Sequence, residues 1–403
     1  MATERIRLSS RASVRKLVLL VPAFMIMAAV LNTQSCSNNG LLEHSNNNGS
    51  PTATPTSGTG TLGFVTNFND GKVSSFTRNT TTGALKLTGQ FSAGAKSGPR
   101  GVVATPAGAF LYVANISDNN IYEYSIDSTN GTLTPLSPAS VSNGSGTGPD
   151  EMAINSSGTL LWVTDAHSGQ VSIYTINTTT NPGQLTANGT IGGFNTPFGI
   201  TLHPSLAVLY VSDTVTGLVW PMTYNTTTGA LTQNFTPEHS PDTSANTPAA
   251  IAIDSGGDSL FIADQGNGEV SSFAIDDTGA LTPVSTFANS STSNVPVGVG
   301  ITVNNAIEYL FTANQGDNSV SSFSASGTTV NIPPTLVTGY NGATGLVVDP
   351  QGLFVYTADK SDGTVGQSTI NGSCGQQLCG GPLVSTESPK NKNSGPFGIT
   401  LAQ

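Results

Sequence analysis

Apolar and polar residues alternate in short runs along most of the chain after residue 61. Residues 121–126 and 171–176 show this pattern clearly. A period of two is typical of β-strands that bury one face. Turns rich in Asn, Asp and Gly separate the runs, as in residues 127–133, where an Asx side chain and a glycine favour a tight reversal. The pattern therefore predicts an all-β protein.

One short segment recurs seven times, each time with apolar or aromatic residues that lead to a closing Asn or Asp. These closing residues are spaced 45 to 51 residues apart, which is the period of a four-stranded propeller blade. The copies predict a seven-bladed β-propeller with four antiparallel strands per blade. The segments occupy residues 63–67, 111–115, 161–165, 209–213, 260–264, 310–314 and 355–359.

The repeat region starts and ends at different strands of the blade. It begins at a second strand, residues 63–67, and ends at a first strand, residues 396–401, which repeats the sequence of residues 197–202. A propeller leaves no sheet edge open when such ends complete one blade together. We therefore expect the C-terminal strand to pair with the N-terminal strands and to close the ring across residues 62–403.

The N-terminal 36 residues have a different character. A basic start is followed by an apolar run, residues 17–31, and then by small and polar residues up to Cys36, as in a secretory signal. The end of this segment resembles a bacterial lipoprotein processing site, with Cys36 as the lipidated residue. Plain cleavage and a retained anchor are the alternatives. All three predict an extracytoplasmic protein, whether secreted, periplasmic or lipid-anchored at a membrane surface. Residues 37–61 form a Ser/Asn/Thr/Gly/Pro linker, which we expect to be disordered.

Charge narrows the range of partners. The whole chain has a net charge of −11, and without the residues before Cys36 it keeps 8 basic and 23 acidic residues, a net charge of −15. Only Arg78 and Arg100 remain as arginines after that point. Such an acidic surface argues against nucleic acid and against anionic lipid. We expect a monomer that meets a membrane only through its N-terminus.

Two further cysteines, Cys374 and Cys379, lie close together in a glycine-rich segment with no histidine nearby. In an oxidising compartment this spacing predicts a local disulfide with a structural role. The sequence gives no reason to expect a metal or another cofactor.

Ligands of propellers commonly bind at the mouth of the central channel, where each first strand begins. Most of these entries carry small or apolar residues, but Arg100, Asp150 and Glu151 stand at the entries of two adjacent blades. One interpretation is a polar patch for a hydroxylated or carboxylated ligand. The other is a structural ion pair of Arg100 with Asp150 or Glu151.

Three weaker candidates lie on the same expected face. Asn115 and Asp165 end second strands and are candidate ligand contacts, although capping of the following hairpin is the alternative. His167 follows Asp165 by two residues and is a weak catalytic candidate beside Arg100 and Glu151.

The turns at residues 228–232 and 278–282, both Thr-Gly-Ala-Leu-Thr, and the Gly98-Pro99-Arg100 entry resemble the β-propeller lactonases related to 6-phosphogluconolactonase and carboxymuconate cyclase. The recurring segments resemble propellers with a Tyr-Val-Thr-Asn repeat. Lactonases of this kind commonly have a histidine after Gly-Pro-Arg, where this chain has Gly101. The resemblance implies lactone hydrolysis, for which Glu151 is the available general base.

Two classes of function thus stay open. One is an exported lactonase-like propeller that binds a small molecule, a glycan or a protein without chemistry. The other is a lactone hydrolase. The residues alone do not decide whether the protein is an enzyme.

Overall fold

The computed structural model describes residues 62–402 apart from gaps at 95–97, 243–246, 290–294, 305–306, 332–333, 371–377, 381–383 and 386–393. The signal segment, Cys36, the linker and Cys374 lie outside the described residues, so lipidation and the disulfide stay predictions. Every regular element in the described part is a β-strand. It contains no helix long and apolar enough to cross a membrane.

The strands, numbered β1–β31 in chain order, form seven antiparallel sheets. Blade 1 contains β1 (Leu62–Asn67), β2 (Lys72–Arg78) and β3 (Leu85–Ser92), and blade 2 contains β4 (Pro99–Ala104), β5 (Phe110–Asn115), β6 (Asn120–Ile126) and β7 (Leu133–Ser142). Blade 3 contains β8 (Pro149–Ile154), β9 (Leu160–Asp165), β10 (Gln170–Ile176) and β11 (Leu185–Gly192). Blade 4 contains β12 (Pro197–Leu202), β13 (Val208–Asp213), β14 (Leu218–Tyr224), β15 (Leu231–Thr232) and β16 (Glu238–His239).

Blades 5 to 7 follow the same plan, and the last strand returns to blade 1. Blade 5 contains β17 (Pro248–Ile253), β18 (Ser259–Asp264), β19 (Glu269–Ile275) and β20 (Leu281–Ala288), and blade 6 contains β21 (Pro296–Asn304), β22 (Ile307–Asn314), β23 (Ser319–Ser326), β24 (Thr329–Val330) and β25 (Thr335–Thr338). Blade 7 contains β26 (Ala343–Val348), β27 (Phe354–Asp359), β28 (Thr364–Ile370), β29 (Leu378–Gly380) and β30 (Val384–Ser385). The last strand, β31 (Pro396–Ala402), belongs to blade 1.

The C-terminal strand closes the ring as the sequence predicts. β31 pairs antiparallel with β1, so that Leu401 lies opposite Gly63 and Ala402 opposite Leu62. It forms the innermost strand of blade 1, whose order is β3-β2-β1-β31. The seven-bladed propeller predicted from the repeat is confirmed.

The hydrophobic core is divided among the spaces between neighbouring blades. Each space holds its own cluster of buried side chains, such as Phe76, Tyr356 and Val365 between blades 1 and 7. Trp162, which is fully buried, fills the space between blades 3 and 4. Because a blade packs against a neighbour on each side, most second and third strands are buried on both faces, and not on the single face that the alternating pattern predicts.

In four of the seven copies of the recurring segment, the aromatic residue also links adjacent blades through a hydrogen bond. Its hydroxyl or indole N–H donates to a carbonyl in the turn before the outer strand of the next blade, at 2.7 to 2.9 Å. The pairs are Tyr112 with Gly183, Trp162 with Gly229, Tyr210 with Gly279, and Tyr356 with Gly83. The glycine of that turn has a positive φ, for example 72° at Gly83. The repeat therefore encodes contacts between blades as well as strands.

Candidate functional site at the channel mouth

A β-bulge marks the start of every inner strand. The register with the second strand slips between Pro99 and Val102 in blade 2 and between Pro149 and Met152 in blade 3, and the other blades show the same shift. A bulge leaves its extra residues outside the ladder and re-aims their side chains. Arg100, Asp150 and Glu151 all lie in such bulges.

The second bulge position is crowded by the backbone of the next blade. It is glycine in five blades, and a Cβ placed on Gly101 would lie 2.2 Å from the carbonyl oxygen of Asp150. At Gly398 the same atom would lie 2.3 Å from the carbonyl oxygen of Arg100. On this backbone a side chain at Gly101 would clash with the Asp150 carbonyl, so the position where lactonases have a histidine contributes no side chain to the site.

Glu151 occupies this second bulge position in blade 3. Its backbone N–H donates to Thr164 Oγ1 at 3.0 Å, and that hydroxyl lies 2.8 Å from the carbonyl of Phe198 in blade 4. Thr66 and Ser212 make equivalent bridges in other blades. The hydroxyl residue of the recurring segment thus fixes the inner strands around the channel.

Inside the ring of inner strands lies a cavity of about 170 Å³ to which all seven blades contribute. Among the described residues that line it, Glu151 is the only ionisable one, and Thr344 adds a hydroxyl whose hydrogen bonds go to backbone carbonyls. The remaining lining is glycine or apolar, including Phe198, Ile200, Ile251, Val297, Leu346, Phe397 and Ile399. The channel is a small apolar cavity with one carboxyl group at its wall.

Arg100 and Asp150 form an ion pair across the boundary of blades 2 and 3, through Nη1 and Oδ2. Asp150 is fully buried, whereas the Arg100 side chain is 24% exposed. Two buried polar atoms of this pair, Arg100 Nε and Asp150 Oδ1, make no hydrogen bond. Burial raises the pKa of Asp150, and the Arg100 guanidinium opposes that rise. The predicted structural pairing is present, but it leaves hydrogen-bonding capacity unused.

The carboxyl group of Glu151 is half-buried beside this pair. Burial and the nearby Asp150 carboxylate raise the pKa of Glu151 to about 7, while Arg100 acts in the opposite direction. A carboxyl with this pKa can accept a proton near neutral pH.

Two aromatic rings and a second cation complete the mouth. The Arg100 Cζ lies 4.6 Å from the centre of the Phe397 ring and 5.9 Å from that of Phe68. The Lys360 Nζ lies 5.5 Å from the Phe68 ring centre and 5.6 Å from that of Phe397. Sequence reasoning missed Lys360, Phe68 and Phe397 as site residues. A signal for Lys360 was available, because it is the only charged residue among the seven that follow a closing Asn or Asp.

Asn115 and Asp165 lie apart from the cavity lining. Both are fully buried. The Asn115 amide donates to the carbonyl of Ala93 at 2.7 Å, and Asp165 Oδ2 accepts from Ser172 at 2.6 Å. These bonds correspond to the alternative interpretation, in which the closing residues anchor turns. In the structure both side chains support the loops of the mouth, and their role as ligand contacts stays a prediction.

His167 is exposed and close enough to Asp150 to lower the pKa of that carboxyl slightly. Its ring also lies against Gly148, just before the entry of blade 3. The histidine is thus at the edge of the mouth, near the ion pair.

The model of the seven-bladed β-propeller lactonases matches residues 57–197 and again residues 196–336. The chain belongs to this lactonase family. Among solved structures, two putative 6-phosphogluconolactonases resemble this lactonase-family propeller. That of Bacteroides fragilis has a TM-score of 0.70 at 15% identity, over 88% of this chain and all of the other. That of Bacteroides uniformis has a TM-score of 0.70 at 14% identity, over 86% and 100%.

A periplasmic gluconolactonase of Pseudomonas aeruginosa has a TM-score of 0.68 at 14% identity, over 85% of this chain and 99% of the other. Identities this low establish the common fold only. No curated protein matches the sequence.

Proposed function

We propose that this lactonase-family propeller binds a small hydroxylated or carboxylated molecule at the channel mouth, with Arg100 and Glu151 as its polar contacts. The observation that carries the proposal is Glu151 itself. It places a carboxyl group on the wall of an apolar cavity, at a bulge position where the other blades have glycine or alanine. A charged residue in such surroundings is costly unless a partner uses it.

The neighbouring arginine supports this assignment. Only Nη1 of Arg100 is used by Asp150, and the side chain is partly exposed. Its remaining N–H groups suit a carboxylate or a lactone carbonyl. The cavity of about 170 Å³ favours a small molecule over a glycan chain or a protein segment as its occupant.

Isothermal titration of the full-length protein with a panel of sugar acids tests the proposal. Arg100→Ala should weaken binding by about 1.5–3 kcal/mol, as expected for a lost charge-assisted hydrogen bond. The double change with Glu151→Ala should cost less than the sum of the single changes if the two residues act together. Lys86→Ala, on the outer strand of blade 1, is the matched control for loss of one positive charge. Unchanged affinity in all variants would place the site elsewhere.

The raised pKa of Glu151 favours a second candidate, lactone hydrolysis. In this reaction Glu151 takes a proton from water, and the water oxygen bonds to the lactone carbonyl carbon. Arg100 faces the oxyanion that forms there. The bond from that carbon to the ring oxygen then breaks, the ring oxygen takes up the proton that Glu151 removed from water, and a hydroxy acid leaves. The names of the structural neighbours, which include a gluconolactonase, agree with this class of substrate.

A panel of five- and six-membered lactones, measured against the spontaneous rate, tests the reaction. The value of kcat/KM should rise with pH through a midpoint near 7, where Glu151 loses its proton. Glu151→Gln should lower kcat by about 10²–10⁴. Full activity in this variant would exclude Glu151 as the base. Binding of lactones without turnover in the wild-type protein would contradict hydrolysis and support only the binding function.

We also propose that the protein is exported, on the strength of the signal-like residues 1–36. Mass spectrometry of the membrane and soluble fractions tests this. A diacylglyceryl group on Cys36 would identify a lipoprotein, and an intact N-terminus in the cytoplasm would contradict export.

A further inference from the structure

Lys360 and Arg100 come from different blades and meet over the same pair of rings. Lys360 follows β27 in blade 7, and Arg100 lies in the entry bulge of blade 2. Between them stands the composite blade 1, which supplies Phe68 after β1 and Phe397 on β31. Both cations lie within 6 Å of both ring centres. The cluster is therefore assembled by ring closure.

The charges of this cluster are incompletely balanced. Within the described part of the chain, no carboxylate lies within ion-pair distance of Lys360. Asp150 uses only one nitrogen of Arg100, and the buried Nε has no hydrogen-bond partner. Burial and the charge of Arg100 lower the pKa of Lys360. Two cations held together in this way are stabilised by an anion placed between them.

The aromatic rings give the cluster a defined shape. The Phe68 and Phe397 ring centres are 6.3 Å apart with an interplanar angle of 40°. Phe397 is 7% exposed and also lines the central cavity. It is therefore in contact with both the central cavity and the two cations.

From this arrangement we propose that Arg100 and Lys360, held by Phe68 and Phe397, form a subsite for an oxyanion, either a carboxylate or a phosphate group. The inference rests on the proposed binding at the mouth and names the part of the ligand that is charged. Arg100 offers a planar fork of donors and Lys360 a compact positive charge. The neutral, hydroxyl-bearing part of the ligand then faces Glu151.

Chemical labelling of Lys360 tests the subsite directly in the full-length protein. The rate of acetylation of Lys360 is compared with that of Lys86, an exposed lysine on β3, by mass spectrometry at pH 8. Three probes are added in turn: D-gluconate, inorganic phosphate, and D-glucitol, which has a hydroxymethyl group in place of the gluconate carboxylate. Because an oxyanion stabilises the protonated amine and shields it, gluconate or phosphate should slow labelling of Lys360 at least about fivefold. Labelling of Lys86 should not change.

A neutral variant provides the second measurement. Lys360→Met should weaken gluconate binding about tenfold, the loss expected for one charge-assisted contact, and should leave thermal unfolding unchanged. Lys86→Met is the matched control and should have no effect. Gluconate should also bind more tightly than glucitol in the wild-type protein, and this preference should narrow about tenfold in Lys360→Met, where Arg100 alone holds the carboxylate.

The outcomes separate the two proposals. Equal binding of gluconate and glucitol through Arg100 and Glu151 would overturn the oxyanion subsite and leave the proposed function intact. Protection of Lys360 by phosphate alone, with no sugar acid bound, would support the subsite and contradict the proposed function. Labelling of Lys360 that no oxyanion slows would overturn the subsite.

Discussion

Among the described residues, two ion pairs join an arginine and an aspartate of neighbouring blades, and they differ in exposure and in the hydrogen bonds of the carboxylate. Arg78 on β2 binds Asp349 at 3.2 Å, and both side chains are fully buried. Arg78 Nη2 also donates to Gln351 at 2.8 Å. The second oxygen of Asp349 accepts two backbone N–H groups, from Leu353 and Phe354, at 2.6 Å each.

The pair of Arg100 and Asp150 differs in each of these respects. The Arg100 side chain is 24% exposed, and Asp150 Oδ1 makes no hydrogen bond. The first pair lies at the junction of blades 1 and 7 and fastens the ring. The second lies at the channel mouth beside Glu151. A fully buried pair whose carboxylate makes hydrogen bonds through both oxygens serves structure, whereas a partly exposed pair with one unused carboxylate oxygen is available for a ligand.

The largest effect expected from this comparison concerns stability. Arg78→Met should destabilise the protein by about 3–5 kcal/mol, because it leaves the buried Asp349 carboxylate without its partner. Arg100→Met should cost less, about 1–2 kcal/mol, because water can reach the vacated position beside Asp150. Urea unfolding followed by far-ultraviolet circular dichroism measures both. Equal losses would show that the two pairs are alike.

Most of the fold could be predicted from the repeat in the sequence. The period of the closing residues predicted seven blades, and the phase difference between residues 63–67 and 396–401 predicted the pairing of β31 with β1. These features are local in sequence, since each blade is built from one repeat. The prediction also found Arg100, Asp150 and Glu151, because an alignment of the entries exposes unusual residues.

The rest of the site depends on distances that the alignment does not contain. Lys360 is 260 residues from Arg100, and the two meet only because the ring closes. Asn115 and Asp165 show a second limit of such an alignment. They stand at the right end of their strands, yet their side chains turn inward to bind neighbouring groups. Strand position alone did not distinguish an anchor of the loop from a contact in the channel.

A second prediction concerns the second bulge position of the inner strands, which is glycine in five blades. Gly101→Ala should destabilise the protein by about 1–3 kcal/mol, because the new Cβ would lie 2.2 Å from the Asp150 carbonyl. Gly63→Ala is the matched control, since its Cβ would meet nothing closer than Leu401 at 3.4 Å. Thermal unfolding of both variants measures the difference. A Gly101→Ala protein as stable as its control would contradict the packing inferred at the entry bulge.

A third prediction uses two glutamates with similarly raised pKa values. Burial raises the pKa of Glu123 to about 7, against the hydrogen bond from the Leu185 N–H. The folded state therefore holds more protons than the unfolded state between about pH 4.5 and 7, and stability falls as the pH rises through this window. One such carboxyl contributes at most about 1.4 kcal/mol per pH unit. Glu123→Gln should flatten the pH dependence of unfolding.

Glu123 is 1% exposed between blades 2 and 3 and does not line the cavity. Its replacement should therefore leave ligand affinity and its pH dependence unchanged. Glu151→Gln should instead alter the pH dependence of binding. Urea unfolding from pH 4.5 to 8 and titration calorimetry over the same range test this division. A Glu123→Gln protein with altered ligand affinity would contradict the separation of structural and binding carboxyls.

The smallest expected effect is on the pKa of Glu151, which its neighbours Asp150 and Arg100 shift in opposite directions. The Asp150 carboxylate raises the pKa of Glu151 and the Arg100 guanidinium lowers it. Asp150→Asn removes the repulsion and should lower the Glu151 pKa, whereas Arg100→Met removes the attraction and should raise it. Carbon NMR titration of the side-chain carboxyl follows each shift without any ligand, and Glu151→Gln assigns the signal by its disappearance. Opposite displacements would show that the pair adjusts the Glu151 pKa that burial has raised. Shifts of the same sign would contradict these opposing effects of Asp150 and Arg100.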